Sequence, residues 1–176
     1  MSQIESAKLV QFDPNVHLDD FRQLCIETFT WHWEQLWENY QVDVVPMFGT
    51  PPEFVERQLE SYITLKPPEG ILYILEVDGE AAGMGAITKY SDDIGEIHRM
   101  YNRPQYRGRG YAQLILNRLL EAGREFGYTT FRLATPKFAH AAQHIYRKAG
   151  FKDMEEYREI SNPIATKYWI CMEKKE

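Results

Sequence analysis

One short stretch restricts this chain more than any other: Arg107-Gly108-Arg109-Gly110-Tyr111-Ala112, set between an extended run and an amphipathic one. The extended segment, Ile94 to Tyr101, runs into a turn at Pro104, and the amphipathic stretch starts directly after the glycines. Glycine lets a backbone approach a ligand closely and turn several N–H groups inward. A helix start adds donors without intrahelical partners and the positive end of the helix dipole. Four arginines, Arg99, Arg103, Arg107 and Arg109, are expected to surround this nest. Such a site suits a phosphate or pyrophosphate.

Two familiar phosphate loops are excluded. A P-loop ends in Gly-Lys-Ser/Thr, and here Tyr111 and Ala112 follow Gly110, with no lysine to reach a β- or γ-phosphate. A dinucleotide fingerprint needs a third Gly or Ala three residues after the second glycine; Gln113 stands there, and no early βαβ unit surrounds it. A kinase or a dehydrogenase is therefore disfavoured. The loop instead resembles the acetyl-CoA loop of the GNAT N-acetyltransferase superfamily, Gln/Arg-x-x-Gly-x-Gly/Ala, with Arg107 first, Gly110 fourth and Ala112 sixth. A second run, Ala142-Gln143-His144-Ile145-Tyr146-Arg147-Lys148-Ala149-Gly150-Phe151, resembles that family's Ala-x-x-Leu/Ile-Tyr-x-Lys-x-Gly-Phe helix. The resemblance covers about residues 70–160.

The chain has 176 residues, which suits one domain with a sizeable core, and no composition shift marks a second. Residues 1–176 therefore read as a single unit, with 70–160 the recognisable acetyl-CoA-binding core and 1–69 an N-terminal strand and substrate-side helices. A content of 44% hydrophobic and 14% aromatic residues argues for an ordered globule. Cys25 and Cys171 are too few for a disulfide framework or a zinc cluster and read as buried free thiols. No signal peptide opens the chain, and no apolar run approaches the ~20 residues of a membrane span, so a cytoplasmic location is expected. The net charge of −6 divides unevenly, −8 over residues 1–70 and +2 over 71–176. An acidic chain is a poor candidate for unspecific nucleic-acid binding. The acidic front third is either a solvated helix surface or a wall suited to a cationic amine.

Periodicity supplies the order of elements. A strand is expected at Lys8–Phe12, broken by Asp13-Pro14-Asn15, and then a helix capped by Asp19 or Asp20 that runs to about Tyr40. Residues 46–52 read as a loop, Thr50 to Glu53 as a capping box, and Glu53–Leu65 as a second helix closed by Lys66-Pro67-Pro68. Strands follow at Ile71–Val77 and Glu80–Tyr90 around an Asp78-Gly79 hairpin turn, then at Ile94–Asn102. Beyond them come the helix Tyr111–Phe126 with Gly127 as its C-cap, the strand Thr129–Thr135 and the helix Ala139–Ala149 ended by Gly150. Strands near Lys152–Glu159 and Lys167–Met172 close the chain. The resemblance implies a mixed α/β fold, the GNAT fold, with a central mixed β-sheet of about seven strands flanked by helices.

The resemblance also implies the site. Main-chain N–H groups at a splay or bulge, mapping to Met100, Tyr101 and Asn102, would polarise the acetyl-CoA carbonyl; positioned donors of this kind are worth about 2.7–4 kcal/mol each. Arg107, Gly108, Arg109, Gly110, Tyr111 and Ala112 would hold the pyrophosphate. Glu96 is the candidate general base, or else a strand glutamate paired with an arginine; His98, two residues on and on the same face, is an alternative base or a substrate contact. Tyr146 is the candidate acid for the CoA sulfur, against the reading of a core tyrosine. Ala139 stands where family members often carry an Asn that bonds the pantetheine, with Gln143 and His140 as nearby substitutes. Trp33, Trp37 and Tyr40 share one helix face, which is either core or an acceptor wall; Trp33 and Trp37 are the candidate substrate contacts beside Glu34 and Glu38. No metal site is expected. The function expected is acetyl-CoA-dependent N-acetylation of a primary amine, a small molecule rather than a protein N-terminus or lysine, with a homodimer as a candidate assembly. A non-catalytic acyl-CoA-binding or regulatory module on the same scaffold is the rival reading.

Overall fold

A computed structural model describes residues 6–157 and 163–176. The chain opens with strand Ala7–Gln11 (β1) and helix Pro14–Tyr40 (α1). The helix begins ahead of the expected cap at Asp19 or Asp20. Asp13 takes the N-cap, its side chain accepting from the Asn15 N–H at 2.9 Å, and Pro14 sits in the first turn, where a missing N–H costs nothing. So Asp13-Pro14-Asn15 ends the strand by starting the helix. Phe21, Leu24, Cys25, Thr28, Phe29 and Leu36 form its buried stripe, and full burial of a Phe or Leu stabilises by about 1.5–3 kcal/mol.

Three short helices follow, Val45–Phe48 (α2), Pro51–Glu56 (α3) and Leu59–Ile63 (α4). The expected loop at 46–52 thus contains a helical turn, and the expected helix Glu53–Leu65 is two helices parted at Arg57 and Gln58. Arg57 there donates to the Phe48 carbonyl, and Gln58 turns its amide to Arg99. The Thr50–Glu53 capping box forms as expected, the Thr50 N–H lying 2.8 Å from Glu53 Oε2.

Strands Gly70–Val77 (β2) and Glu80–Lys89 (β3) meet at Asp78-Gly79, where φ is +50° and +85°, the signature of a type I′ turn. Strand Ile94–Asn102 (β4), helix Tyr111–Glu125 (α5), strand Thr130–Pro136 (β5) and helix His140–Lys148 (α6) come next. Strand Lys152–Met154 (β6), helix Pro163–Tyr168 (α7) and strand Trp169–Lys175 (β7) end the chain. β6 is shorter than the expected Lys152–Glu159, whose last two residues lie outside the described residues. A helix occupies the start of the expected Lys167–Met172 strand, which is displaced toward the C-terminus.

The seven strands form one sheet in the order β1-β2-β3-β4-β5-β7-β6, antiparallel except where β4 meets β5. Two cores lie on its two faces. On one, α5 packs Ile115, Leu116 and Leu119 against Ile71, Tyr73, Ile87, Ile97 and Phe131. On the other, α1, α3 and α4 pack Phe21, Leu24, Val55 and Tyr62 against Leu72, Ile74, Met84 and Ala86. β2 and β3 are buried on both faces, which is why they read as nearly continuous apolar runs. Among the described residues, no helix is long and apolar enough to cross a membrane.

Candidate active site

β4 carries two departures from regular pairing, and together they make the site. Toward β5, the parallel register runs only from Ile94 opposite Thr130 to Glu96 opposite Arg132; past Glu96 the strands part. Toward β3, Ala86 faces His98 and Met84 faces Tyr101, so Gly85 opposes both Arg99 and Met100. This is a β-bulge, and Arg99 takes the left-handed conformation at φ +55°. A bulge breaks the alternation of side chains. Met100 packs on the α5 face, whereas Arg99 follows His98 onto the α1 face. The half of β4 beyond Glu96 therefore has no ladder partner on its β5 side, and a crevice is expected where the two strands part.

The loop after β4 leads into that crevice. Arg103 opens a single 3-10 turn, Pro104–Tyr106, and Gly108 and Gly110 follow at φ +76° and +81°. A Cβ built on either glycine meets nothing within 4 Å, so both face open space at the N-terminus of α5. Gly110 is the N-cap of α5 and brings no side chain to its first N–H groups. This open, glycine-floored helix start fits an anionic phosphate group. The Ala112 N–H is taken internally: with its amide oriented to satisfy both ends, Asn102 accepts from Ala112 N–H and donates to the Tyr101 carbonyl, each at 3.0 Å.

The expected ring of four arginines is two. Arg107 Nε donates to the Asn102 carbonyl at 3.0 Å, and Arg109 Nη2 to the Gln105 carbonyl at 3.3 Å, which keeps both guanidinium groups at the loop. Arg103 is instead neutralised by Glu27 of α1, with Nη2 3.0 Å from Oε1, and also holds the Ala81 carbonyl at 2.8 Å. Arg99 is turned away by the bulge, its guanidinium 4.8 Å from the Phe29 ring centroid and 5.1 Å from that of Tyr62.

Glu96 and His98 come together as their spacing implies. His98 Nε2 lies 2.7 Å from Glu96 Oε1 and 2.9 Å from Thr88 Oγ1, so both contacts fall on the same ring nitrogen. The Tyr157 hydroxyl donates to Glu96 Oε2 at 2.5 Å. Both carboxylate oxygens are thus engaged. With side-chain exposures of 7% and 24%, Glu96 is the inner member of the pair and His98 the outer. Arg132 lies over the rings of Tyr90 and Tyr157, and the Tyr90 hydroxyl donates to the Tyr157 carbonyl at 2.8 Å, which fixes the third partner. Tyr157 and Thr88 were missed by sequence reasoning. Neither belongs to a motif, and Tyr157 lies 61 residues from the carboxylate it touches.

Tyr146 projects from α6 into the core of the α5 face, 6.0 Å from the Phe151 ring, and burial holds its hydroxyl well above the ordinary phenol range. Gln143 is committed to structure, donating to the Pro136 and Lys137 carbonyls at 2.9 and 3.1 Å, which removes it as a substitute for the missing Asn. The aromatic face of α1 is divided. Trp33 donates to the Gly49 carbonyl at 3.1 Å and packs on Phe29, Phe48 and Phe54, Tyr40 lies 4.4 Å from Tyr168, and Trp37 is 53% exposed. The front-third acids mostly have local partners or face outward: Asp19 and Glu56 hold Arg22, Glu27 holds Arg103, and Glu34 and Glu38 are exposed. That arrangement agrees with the solvated-surface reading of the charge bias. Among the described residues, no group of three or more His, Cys, Asp or Glu side chains is placed to hold a metal ion.

The model of the acetyltransferase (GNAT) family matches residues 20–151. The chain belongs to that family. Its sequence is similar to the uncharacterized N-acetyltransferase C1271.07c of Schizosaccharomyces pombe, 28% identical over 158 residues, 89% of this chain and 88% of that protein. It is also similar to the uncharacterized N-acetyltransferase YjgM of Escherichia coli K12, 31% identical over 99 residues, 54% of this chain and 59% of YjgM, so the match spans little more than half of either GNAT protein. Among solved structures, the PaiA N-acetyltransferase from Thermoplasma acidophilum, determined with coenzyme A, has the same fold, with a TM-score of 0.70 at 16% identity over 97% of this chain and 99% of that one.

Proposed function

We propose that the chain transfers the acetyl group of acetyl-CoA to the primary amine of a small molecule by direct attack, with both substrates bound together. The observation that carries this reading is the parting of β4 and β5 immediately past Glu96, between the glycine-floored helix start and the Glu96–His98 pair. A thioester brought into that crevice would have the anion site at one end and a proton acceptor at the other. The family match supports acyl-group transfer as the chemistry.

Bound acetyl-CoA supplies an acetyl group on a thiol leaving group. Backbone N–H groups of Gly108 to Tyr111, with Arg107 and Arg109 at the rim, hold its pyrophosphate. Main-chain donors of β4 at Met100 to Asn102 steady the carbonyl oxygen as negative charge develops there. His98 takes the proton of the attacking amine at Nδ1, its Nε2–H being directed to Glu96, and the buried carboxylate stabilises the imidazolium that forms. Tyr157 holds the second oxygen of Glu96, so the carboxylate keeps its orientation. As the C–N bond forms and the C–S bond breaks, the electron pair leaves on sulfur, and Tyr146 gives it a proton. Burial keeps this hydroxyl protonated, so it has a proton to give, although the raised pKa makes the transfer uphill until the thiolate charge develops beside it.

Calorimetry tests the cofactor half directly. Gly110→Val forces a β-branched residue into φ +81° and fills the open space at the helix start. Acetyl-CoA should bind the wild-type protein and bind the variant about tenfold or more weakly, since the valine side chain enters the space at the helix start and a loop relaxed from the left-handed angle must regain ~1–2 kcal/mol of strain on binding. Unchanged affinity in the variant, or tighter binding of ATP or NAD than of acetyl-CoA, overturns the reading.

A further inference from the structure

Among the described residues, Arg99 has no carboxylate as counter-charge. Its guanidinium is sandwiched by Phe29 of α1 and Tyr62 of α4, and its hydrogen-bond partner is a neutral amide, that of Gln58. No carboxylate among the described residues pairs with it, whereas Arg22, Arg103, Arg118, Arg124, Arg132 and Arg147 each have one. Two buried side-chain nitrogens among the described residues lack a hydrogen-bond partner, and they are Arg99 Nε and His32 Nδ1. The two belong to one place. His32 projects from α1 among Phe29, Trp31, Phe138 and Trp169, and the charge of Arg99 acts on it.

Such an arrangement costs free energy in the free protein. A half-buried guanidinium whose enclosed Nε–H has no acceptor is poorly compensated, and the ring faces around it return only part of the loss. An anion would complete it. Arg presents a planar fork of donors that matches the two oxygens of a carboxylate, and a neutral imidazole with its proton on Nδ1 offers one donor more. The location specifies whose carboxylate. The bulge sets Arg99 directly after His98 and on the same face of β4, so the anion site adjoins the group that accepts the amine proton. A polyamine would meet repulsion there.

Resting on the acyl-transfer reading above, we propose that Arg99, with His32 against the same Phe29 ring, receives a carboxylate of the acceptor, so that the substrates are amines that also carry a carboxylate, α-amino acids foremost. In an α-amino acid one carbon separates the two groups, the shortest such spacing, and His98 and Arg99 are consecutive residues on one face of β4. The amine nitrogen forms the amide bond and gives its proton to the His98–Glu96 pair; the carboxylate takes no part in bond making.

The test measures CoA-thiol release from acetyl-CoA with the common L-amino acids and, for each, the amine left on removing its α-carboxylate. The wild-type protein should favour at least one amino acid over its decarboxylated partner by about tenfold or more in kcat/KM, the size of one charged hydrogen bond. Arg99→Gln should erase that preference while leaving the KM for acetyl-CoA unchanged, and Arg99→Lys should restore part of it. Thermal melts verify folding; if Arg99→Gln fails to fold, Arg99→Lys carries the comparison through a reduced preference. Equal use of both members of every pair, or an equal loss on both in the variants, overturns the carboxylate site and leaves acetyl transfer standing. No thiol release with any compound of either set overturns both.

Discussion

The proposed pyrophosphate loop and the proposed acceptor side are built in opposite ways. Between Pro104 and Ala112 the site is main chain, shaped by glycines at positive φ and by the start of α5, and all of it comes from nine consecutive residues. Across β4, the proposed acceptor face would be assembled from side chains of α1, α4, β3, β4 and the segment after β6: His32, Tyr62, Thr88, Glu96, His98, Arg99 and Tyr157. A backbone site needs particular residues at fixed offsets, because only glycine adopts those angles at little cost. A side-chain site needs only proximity in the fold. The first kind can be shared among relatives that bind the same cofactor, and the second is free to differ with each acceptor.

If that division holds, changes on the two sides should separate in kinetics. The largest effect is expected where the halves meet, at the leaving sulfur. Tyr146→Phe removes one hydroxyl and little volume, so kcat should fall by ~10²–10⁴-fold while acetyl-CoA affinity stays near wild type. Rapid-quench or steady-state rates at saturating acetyl-CoA measure this, and a wild-type rate would return Tyr146 to the role of a core residue.

A smaller effect separates the halves by stability. Burial holds the His32 imidazole at a pKa of about 3, against 6.5 for an ordinary histidine. Between those values the unfolded chain binds a proton that the folded chain excludes, so stability declines as pH falls through the window. From pH 7 to 5 the loss at this group amounts to up to about 2 kcal/mol. Melts over that range should show the decline in wild type and a flatter curve in His32→Leu. An identical slope in the two proteins would mean that His32 titrates as an exposed histidine does.

This contrast also explains what could be read in the sequence. β4 appeared with its observed bounds, and the Asp78-Gly79 turn, the Thr50–Glu53 capping box and the glycine loop were all legible, because each depends on neighbours within a few residues. The bulge was not. Nothing local in Arg99-Met100 requires a left-handed arginine; it follows from the register between β3 and β4. Once the bulge was missed, strict alternation could not tell that Arg99 shares the face of His98 and leaves the phosphate nest. Arg103 was misassigned for the same reason, since its partner Glu27 is 76 residues away. Asp13-Pro14-Asn15 reads in the sequence as a strand breaker, and in the fold Asp13 also caps α1, with Pro14 in its first turn. The Trp33–Trp37–Tyr40 spacing gave a face of α1 correctly, but not that α2 and α3 cover Trp33 and leave Trp37 outward.

The central claim is that Glu96 and His98 act together to take the proton of the acceptor amine. The most direct measurement is the pH dependence of kcat/KM for wild type and Glu96→Gln, with an amine that the wild-type protein acetylates. The amide keeps the shape of the side chain but cannot stabilise a charged His98. The variant should be slower by ~10²–10⁴-fold at neutral pH, recover in part as free amine becomes abundant at higher pH, and keep its affinity for acetyl-CoA. A Glu96→Gln protein with the wild-type rate and the wild-type ascending limb would contradict the account.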